Sequence, residues 1–250
     1  MKFSVVMPVH NEEKFLPYSL PSIFRLKPDE VILIFDRCTD RSIEIAKKIA
    51  EKFGCLQQTK LVELNKPSPN WRFRLAFLRR YGFKIAENDV ILNTDADTLL
   101  DEKISKYVPL VGKDEIALVG FGRISYPLTF QNFIARLVFT FIPKIAFAGL
   151  YAFSKKAWLE AEDQDAIKKI SRAEDTYLHL SISKKYRTKF IKTNTLHLRP
   201  KETAEIHLIR GTTYWTVQRN PLWKAILHSI IYFRPLILVG YLHARLQDQG

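Results

Sequence analysis

Four short runs of β-branched and apolar residues alternate with amphipathic stretches through the first hundred positions. Phe3–Pro8 (FSVVMP) reads as a first strand and Val31–Phe35 (VILIF) as a second, ending at Asp36. Runs this short and apolar, bounded by polar residues, suit parallel strands covered on both faces. After the first, Glu12 and Glu13 precede Phe15, Leu16, Ser19, Leu20 and Ile23 at helical spacing, which predicts a helix over Lys14–Arg25. Thr39 or Asp40 caps a second helix, Arg41–Phe53, with Ile43, Ala46, Ile49, Ala50 and Phe53 as its apolar stripe. Leu61–Leu64 is a weaker third strand and Lys66–Asn70 a loop. Trp71–Ala86 reads as a basic helix carrying Arg72, Arg74, Arg79 and Arg80, and Val90–Leu92 as the fourth strand. Strand and helix in regular alternation predict an α/β, Rossmann-like, mostly parallel sheet flanked by helices, with right-handed crossovers.

The fourth strand runs out into Asp95 and Asp97, and open α/β sheets bind ligands outside the carboxyl ends of their strands. No basic residue lies between Lys84 and Lys103 to neutralise the two acids. Such a pair makes a seat for magnesium or manganese, which keeps several waters and shares its other positions with substrate phosphates. The plainer alternative is that the acids cap a helix starting near Leu99. The loops Pro8–Glu12 and Asp36–Asp40 should open on the same crevice. Asp36 there either accepts hydrogen bonds from a nucleobase or ribose, or simply forms a turn. Neither a Gly-x-Gly-x-x-Gly fingerprint nor a Gly-x-x-x-x-Gly-Lys-Ser/Thr loop follows a strand, so dinucleotide and P-loop sites are not expected.

Composition narrows the class. The 250 residues are 47% hydrophobic and 26% charged, ordinary for a folded globular chain. Cys38 and Cys55 have neither metal-ligand nor disulfide spacing, and the apolar start is too short for a secretory signal, so a reducing, cytoplasmic setting is expected. The net charge of +13 is uneven, because residues 184–250 hold twelve Lys/Arg against three Asp/Glu. A basic carboxyl-terminal segment beside an acidic site points to anionic partners such as diphosphates or an anionic membrane surface, or is only a solvated face.

The blocks VVMPVHNEEKFLPYSLPSI, VILIFDRCTDRSIEIA and VILNTDADTLL, in this order and spacing, resemble the opening of family-2 glycosyltransferases. That resemblance implies the GT-A fold, a nucleotide-diphosphate sugar donor and a divalent cation, Mg2+ or Mn2+. It implies that Pro8, Val9, His10 and Glu12 line the base and ribose and that Asp36 binds the base. Asp95 would face nucleotide and metal, and Asp97 would ligate the metal. Gly149–Ser154 resembles the family's strand bordering the acceptor, and Ala173–Leu178 its Glu-Asp motif, with Glu174 beside the general base Asp175. An inverting transfer needs one carboxylate near the acceptor hydroxyl, and an acid at the start of a helix over Asp175–Lys185 suits that task. Capping that helix is the simpler role. If the acceptor is a lipid phosphate, already ionised, Asp175 only positions it.

The second half departs from the family pattern. Asp165–Ser171 replaces the Gly-Gly-Phe-type segment, and no Gln-x-x-Arg-Trp motif marks a processive synthase, since Tyr214–Arg219 does not match. The expected organisation is a nucleotide-sugar-binding half over 1–100, an acceptor-side half of the same domain over 101–200 and a helical, basic extension over 201–250. Arg72, Arg74 and Arg79, and later Arg210 and Arg219, are candidates for the diphosphate or acceptor. Two apolar stretches, Leu137–Ser154 and Ala225–Ala244, are expected not to span a membrane. In the second, Arg234-Pro235 would put a charge and a helix break at the bilayer centre. They either pack on the domain or lie in a membrane interface at the cytoplasmic face. The reading is an inverting, metal-dependent transferase of one sugar from a UDP- or GDP-sugar to an acceptor such as a lipid or lipid phosphate. Nucleic acid is not an expected partner. The rival enzyme, a sugar-phosphate nucleotidyltransferase, normally needs a glycine-rich basic loop that Val9–Glu12 lacks. A non-catalytic basic module binding nucleic acid or membrane would explain the charged tail but not three acidic strand ends.

Overall fold

All seven residues of Phe3–Val9 (β1) are buried, because helices cover both faces of the sheet it centres. A computed structural model of the chain describes residues 1–67, 70–125, 149–170, 172–198, 204–231 and 234–248. On one face Val5, Met7 and Val9 pack with Leu16, Leu20 and Ile23 of α1 (Leu16–Arg25) and with Ala46 and Ala50 of α2 (Ser42–Lys52). On the other, Val6 packs with Ile32 and Ile34 of β2 (Glu30–Phe35) and with Leu78 and Phe83 of α3 (Arg74–Ile85). Two-sided burial is why these strands read as continuous apolar runs rather than alternating ones.

β3 (Thr59–Glu63) and β4 (Val90–Asn93) complete a parallel half in the order β3-β2-β1-β4. β5 (Thr98–Leu99), β6 (Ile116–Ser125), β7 (Tyr151–Ser154) and β8 (Arg187–His197) extend the sheet, with β7 antiparallel to both β4 and β6. The helix expected near Leu99 is a correction. Thr98 and Leu99 instead pair with His197 and Leu196, and α4 begins only at Ile104 (Ile104–Tyr107). Asp95 and Asp97 therefore do not cap a helix. Three further helices follow: α5 (Lys155–Ala161), α6 (Ala166–Lys169) and α7 (Glu174–Ser183).

Residues 1–123 and 146–198 form one compact unit, and 124–145 with 199–250 a second. The described part of the second, residues 124–125, 204–231 and 234–248, includes the helices α8 (Ala204–Thr216), α9 (Leu222–Ile231) and α10 (Pro235–Gln247). α8 and α10 cross backbone to backbone. A Cβ on Gly211 would run into the Ile237 carbonyl, and one on Gly240 into that of Leu208. Of the apolar stretches, 137–148 lies outside the described residues. Ala225–Ala244 is divided between α9 and α10, with Arg234 at the N-cap and Pro235 opening the second helix. Among the described residues no helix is long and apolar enough to cross a membrane.

Burial, with the charges of Arg234 and Arg210 adding, pushes His228 of α9 down to about 4, and the Tyr214 hydroxyl lies 2.6 Å from its Nδ1. An unfolded chain takes up this proton near the ordinary value of about 6.5, so the unfolded state binds more protons between the two values. Stability contributed by neutral His228 is thus present above about pH 6.5 and lost as pH falls towards 4. The expected loss is roughly 2 kcal/mol. Melting His228→Gln beside wild type from pH 7 to 4.5 checks this: wild type should lose more. Parallel losses would contradict it.

Candidate active site

β1, β2 and β4 end side by side, and the carboxylates leaving those ends are held by arginines from elsewhere in the chain. Asp36 follows β2, and its backbone amide donates to the Val9 carbonyl at 2.8 Å, which ties the ends of β1 and β2 together. Arg74, at the start of α3, donates to Asp36 Oδ1 at 2.7 Å, and Arg37 donates to Oδ1 and Oδ2 at 3.0 and 3.1 Å. Burial pushes the Asp36 carboxyl up, but the two guanidinium groups more than offset it and hold it below the ordinary carboxylate range. Arg74, a diphosphate candidate from sequence, is thereby engaged at the base side, where it also donates to the Leu64 carbonyl.

The loop after β1 is laced to the loop after β2. His10 Nδ1 lies 2.5 Å from the Asp36 carbonyl oxygen. The Thr39 amide donates to Asn11 Oδ1 at 2.8 Å, and the Glu12 amide to Ser42 Oγ at 2.8 Å. Asn11 and Arg37 both adopt positive φ, 53° and 48°, so the sharp turns that bring these loops together carry local strain. Pro8 and Val9 are the last residues of β1, in register with Ile34 and Phe35. Five predicted contacts with base and ribose (Pro8, Val9, His10, Glu12 and Asp36) thus come from two adjoining strand ends.

Asp95 lies past the end of β4, and its surroundings correct one inference from sequence. The lack of a nearby basic residue along the chain does not leave it unneutralised. Arg79 of α3 donates to Oδ1 at 2.5 Å and Arg123 of β6 to Oδ2 at 2.7 Å. Burial raises the Asp95 carboxyl, and the two arginines outweigh it and hold the group below its ordinary value. Arg79 is itself buried and also pairs with Glu174 at the first position of α7. Burial pushes Glu174 upward and the charge of Asp175 adds to this, while Arg79 and Arg80 pull it back. Arg80, fully buried, donates to Glu162 and to the Glu174 carbonyl, which anchors α7 against α3.

Asp175 sits one residue further on, half-buried in the first turn of α7. Ala173 before it adopts φ 63° and ψ 39°, a left-handed conformation that sets the helix's entry angle. Asp175 Oδ2 accepts from the Gly149 amide at 3.0 Å, and Asn93 of β4 donates to the Gly149 carbonyl at 2.9 Å. Gly149 has φ +70°, and any Cβ there would collide with the Asp95 carboxylate and crowd Arg123. This glycine is what lets Asp95, Arg123 and Asp175 converge on one point.

Asp97 is nearly buried, and its Oδ2 lies 3.3 Å from His197 Nε2, a meeting fixed by the pairing of Thr98 with His197. His197 and Arg123 are the site residues that sequence reasoning missed. Among the described residues no three His, Cys, Asp or Glu side chains converge as a ready metal cluster. Both Asp95 oxygens accept from guanidinium groups, and Asp97 and His197 stand as a neighbouring donor pair. The carboxylate suits magnesium or manganese when substrate phosphates and water complete the shell, and the imidazole beside it suits manganese better than magnesium. Arg72 lines a separate groove of about 520 Å³ with Asn70, Trp71, Lys168 and Lys169. Arg210 and Arg219 belong to the second unit, where Arg219 pairs with Asp248 at 2.6 Å.

Residues 4–151 match the sequence profile of glycosyl transferase family 2. Over 110 residues the chain is 28% identical to the poly(ribitol-phosphate) beta-N-acetylglucosaminyltransferase TarS of Staphylococcus aureus, covering 42% of this chain but only 18% of that protein. Among solved structures, a mannosyltransferase from Pyrobaculum calidifontis in complex with GDP-Man and Mn2+ superposes with a TM-score of 0.66. It is 19% identical, over 97% of this chain and 70% of that one. Residues 1–349 of S. aureus TarS with UDP-GlcNAc give 0.59 at 15% identity, over 86% of this chain and 67% of that one. Glucosyl-3-phosphoglycerate synthase from Mycobacterium tuberculosis, with Mn2+, UDP and phosphoglyceric acid, gives 0.52 at 18% identity, over 88% and 79%. At these identities the structural likenesses establish the fold, GT-A, with its mostly parallel sheet flanked by helices.

Proposed function

The chain belongs to glycosyl transferase family 2, and from that premise we propose that it transfers one sugar from a UDP- or GDP-sugar to a hydroxyl or phosphate acceptor, with inversion and with a divalent cation. One observation carries the reading: Asp36, Asp95 and Asp97 leave neighbouring strand ends, and Asp175 is tied through Gly149 to the same point. The solved relatives hold UDP-GlcNAc, UDP or GDP-Man, the ligand class such a crevice suits.

Each residue has a task in this reading. Pro8, Val9, His10 and Glu12 line the base and ribose, and Asp36, fixed by Arg74 and Arg37, accepts from the base. Asp97, with His197 as a second donor when the metal is manganese, would hold Mg2+ or Mn2+, which when bound supplies positive charge against the departing diphosphate. Arg123 and Arg79 hold Asp95 rigid beside it and add the preorganised positive field that favours charge developing on the leaving group. The acceptor oxygen forms the new bond to the anomeric carbon as the bond to the diphosphate breaks, and the electron pair leaves on the diphosphate. The acceptor proton passes to Asp175. A phosphate acceptor has no such proton to lose, and Asp175 would then orient it. The groove of Trp71, Arg72, Lys168 and Lys169 would suit the anionic part of a phosphate-bearing acceptor.

Donor turnover tests this. A panel of UDP- and GDP-sugars with manganese should include one that releases its nucleotide, with the freed or transferred sugar of opposite anomeric configuration by NMR. Retained configuration, or no turnover of any donor by folded protein, would contradict the proposal.

A further inference from the structure

The second unit carries an apolar surface that the donor site does not use. Among the described residues, seven of the eleven large hydrophobic side chains left exposed lie between 223 and 246. On α9 they are Trp223, Ile226, Leu227 and Ile230, spaced three, four and seven residues from the first. At about 100° per residue these fall within one arc roughly 100° wide, opposite buried Ala225 and Ser229. On α10, Val239, Leu242 and Leu246 form a second stripe, opposite buried Ile237, Gly240, Tyr241 and Ala244. Each helix is therefore apolar twice, once towards its neighbours and once towards solvent. Trp223 is 59% exposed, Ile230 66% and Leu246 70%, far more than isolated surface hydrophobics require.

We infer that α9 and α10 lie on an anionic lipid bilayer surface, with these two stripes in the interfacial layer. Charge decides the occupant. From Leu222 to Gln247 there is no Asp or Glu, while exposed Lys224 and half-buried Arg245 supply cations. Lys224 Nζ lies 5.6 Å from the Trp223 ring centre, an aromatic–basic pair of the kind that sits at headgroup level. A second copy of the chain would bring the same cations face to face with no acid to pair them, whereas anionic headgroups complement them. Helices of 10 and 13 residues are too short to cross a bilayer and suited to lying along it. The contact stands on the second unit alone, independent of the nucleotide-sugar reading.

The test is sedimentation of the full chain with vesicles of phosphatidylcholine, with and without phosphatidylglycerol. Binding to the anionic vesicles is expected, weaker without phosphatidylglycerol and at higher salt. It should fall at least about tenfold in Ile226→Glu/Ile230→Glu, whose positions are exposed and whose circular dichroism should not change. Trp fluorescence should shift to the blue on binding, and Trp223→Phe should remove that shift, which keeps the test alive if the double variant misfolds. No binding of wild type to anionic vesicles, or undiminished binding of the double variant, would overturn the inference. So would a wild-type dimer that the double variant converts to a monomer.

Discussion

Asp175→Asn is expected to slow transfer to a hydroxyl acceptor by about 10²–10⁴-fold while leaving nucleotide binding unchanged. The amide keeps the size of the carboxylate and can still accept from the Gly149 amide, so Asp95 and Arg123 stay in place. What it loses is the ability to take the acceptor's proton as the glycosidic bond forms. Rate measurements at saturating donor, with calorimetric nucleotide binding on the same variant, separate the two effects. A loss of nucleotide affinity as large as the loss of rate would mean that Asp175 serves the donor pocket instead. An unchanged rate would mean that the acceptor arrives already ionised and that positioning, not proton removal, is its task.

The second large effect is on stability. Arg79→Leu removes the guanidinium shared by Asp95 and Glu174, leaving Glu174 buried without it while the partly exposed Asp95 keeps Arg123. Removing one partner of a buried ion pair destabilises by about 3–5 kcal/mol, because a desolvated charge, here that of Glu174, loses its partner. Urea unfolding of Arg79→Leu should show a loss of that order, and adding Glu174→Gln should recover part of it. A loss under about 1 kcal/mol would mean that water reaches the cluster more freely than its burial indicates.

Much of the first half was legible in the sequence because its signals are local. FSVVMP and VILIF state their two-sided burial in composition alone, and Asp36, Asp95 and Asp97 announce strand ends by where the apolar runs stop. Two-residue β5 is different. Nothing in Thr98-Leu99 says strand rather than helix, because its pairing partner lies a hundred residues away at Leu196 and His197. The same separation hid His197 from Asp97, and a shorter one of 28 residues hid Arg123 from Asp95. Local charge counting around Asp95 therefore misread its neutralisation, which arrives from α3 and β6. β8 was missed although RTKFIKTNTLH is rich in strand-forming residues, since its polar, basic character reads as a solvated segment. The role of Gly149 is likewise visible only in three dimensions, where its φ and its closeness to Asp95 become evident.

The central claim, that the crevice between Asp36 and Asp97 binds a nucleotide diphosphate with a metal, is tested most directly by calorimetric titration. UDP and GDP would each be titrated with and without manganese, into wild type and Asp97→Asn. The account predicts that one nucleotide binds, that manganese strengthens the binding, and that the manganese effect disappears in the variant. Binding of neither nucleotide to folded wild type, or a manganese effect that survives in Asp97→Asn, would contradict it.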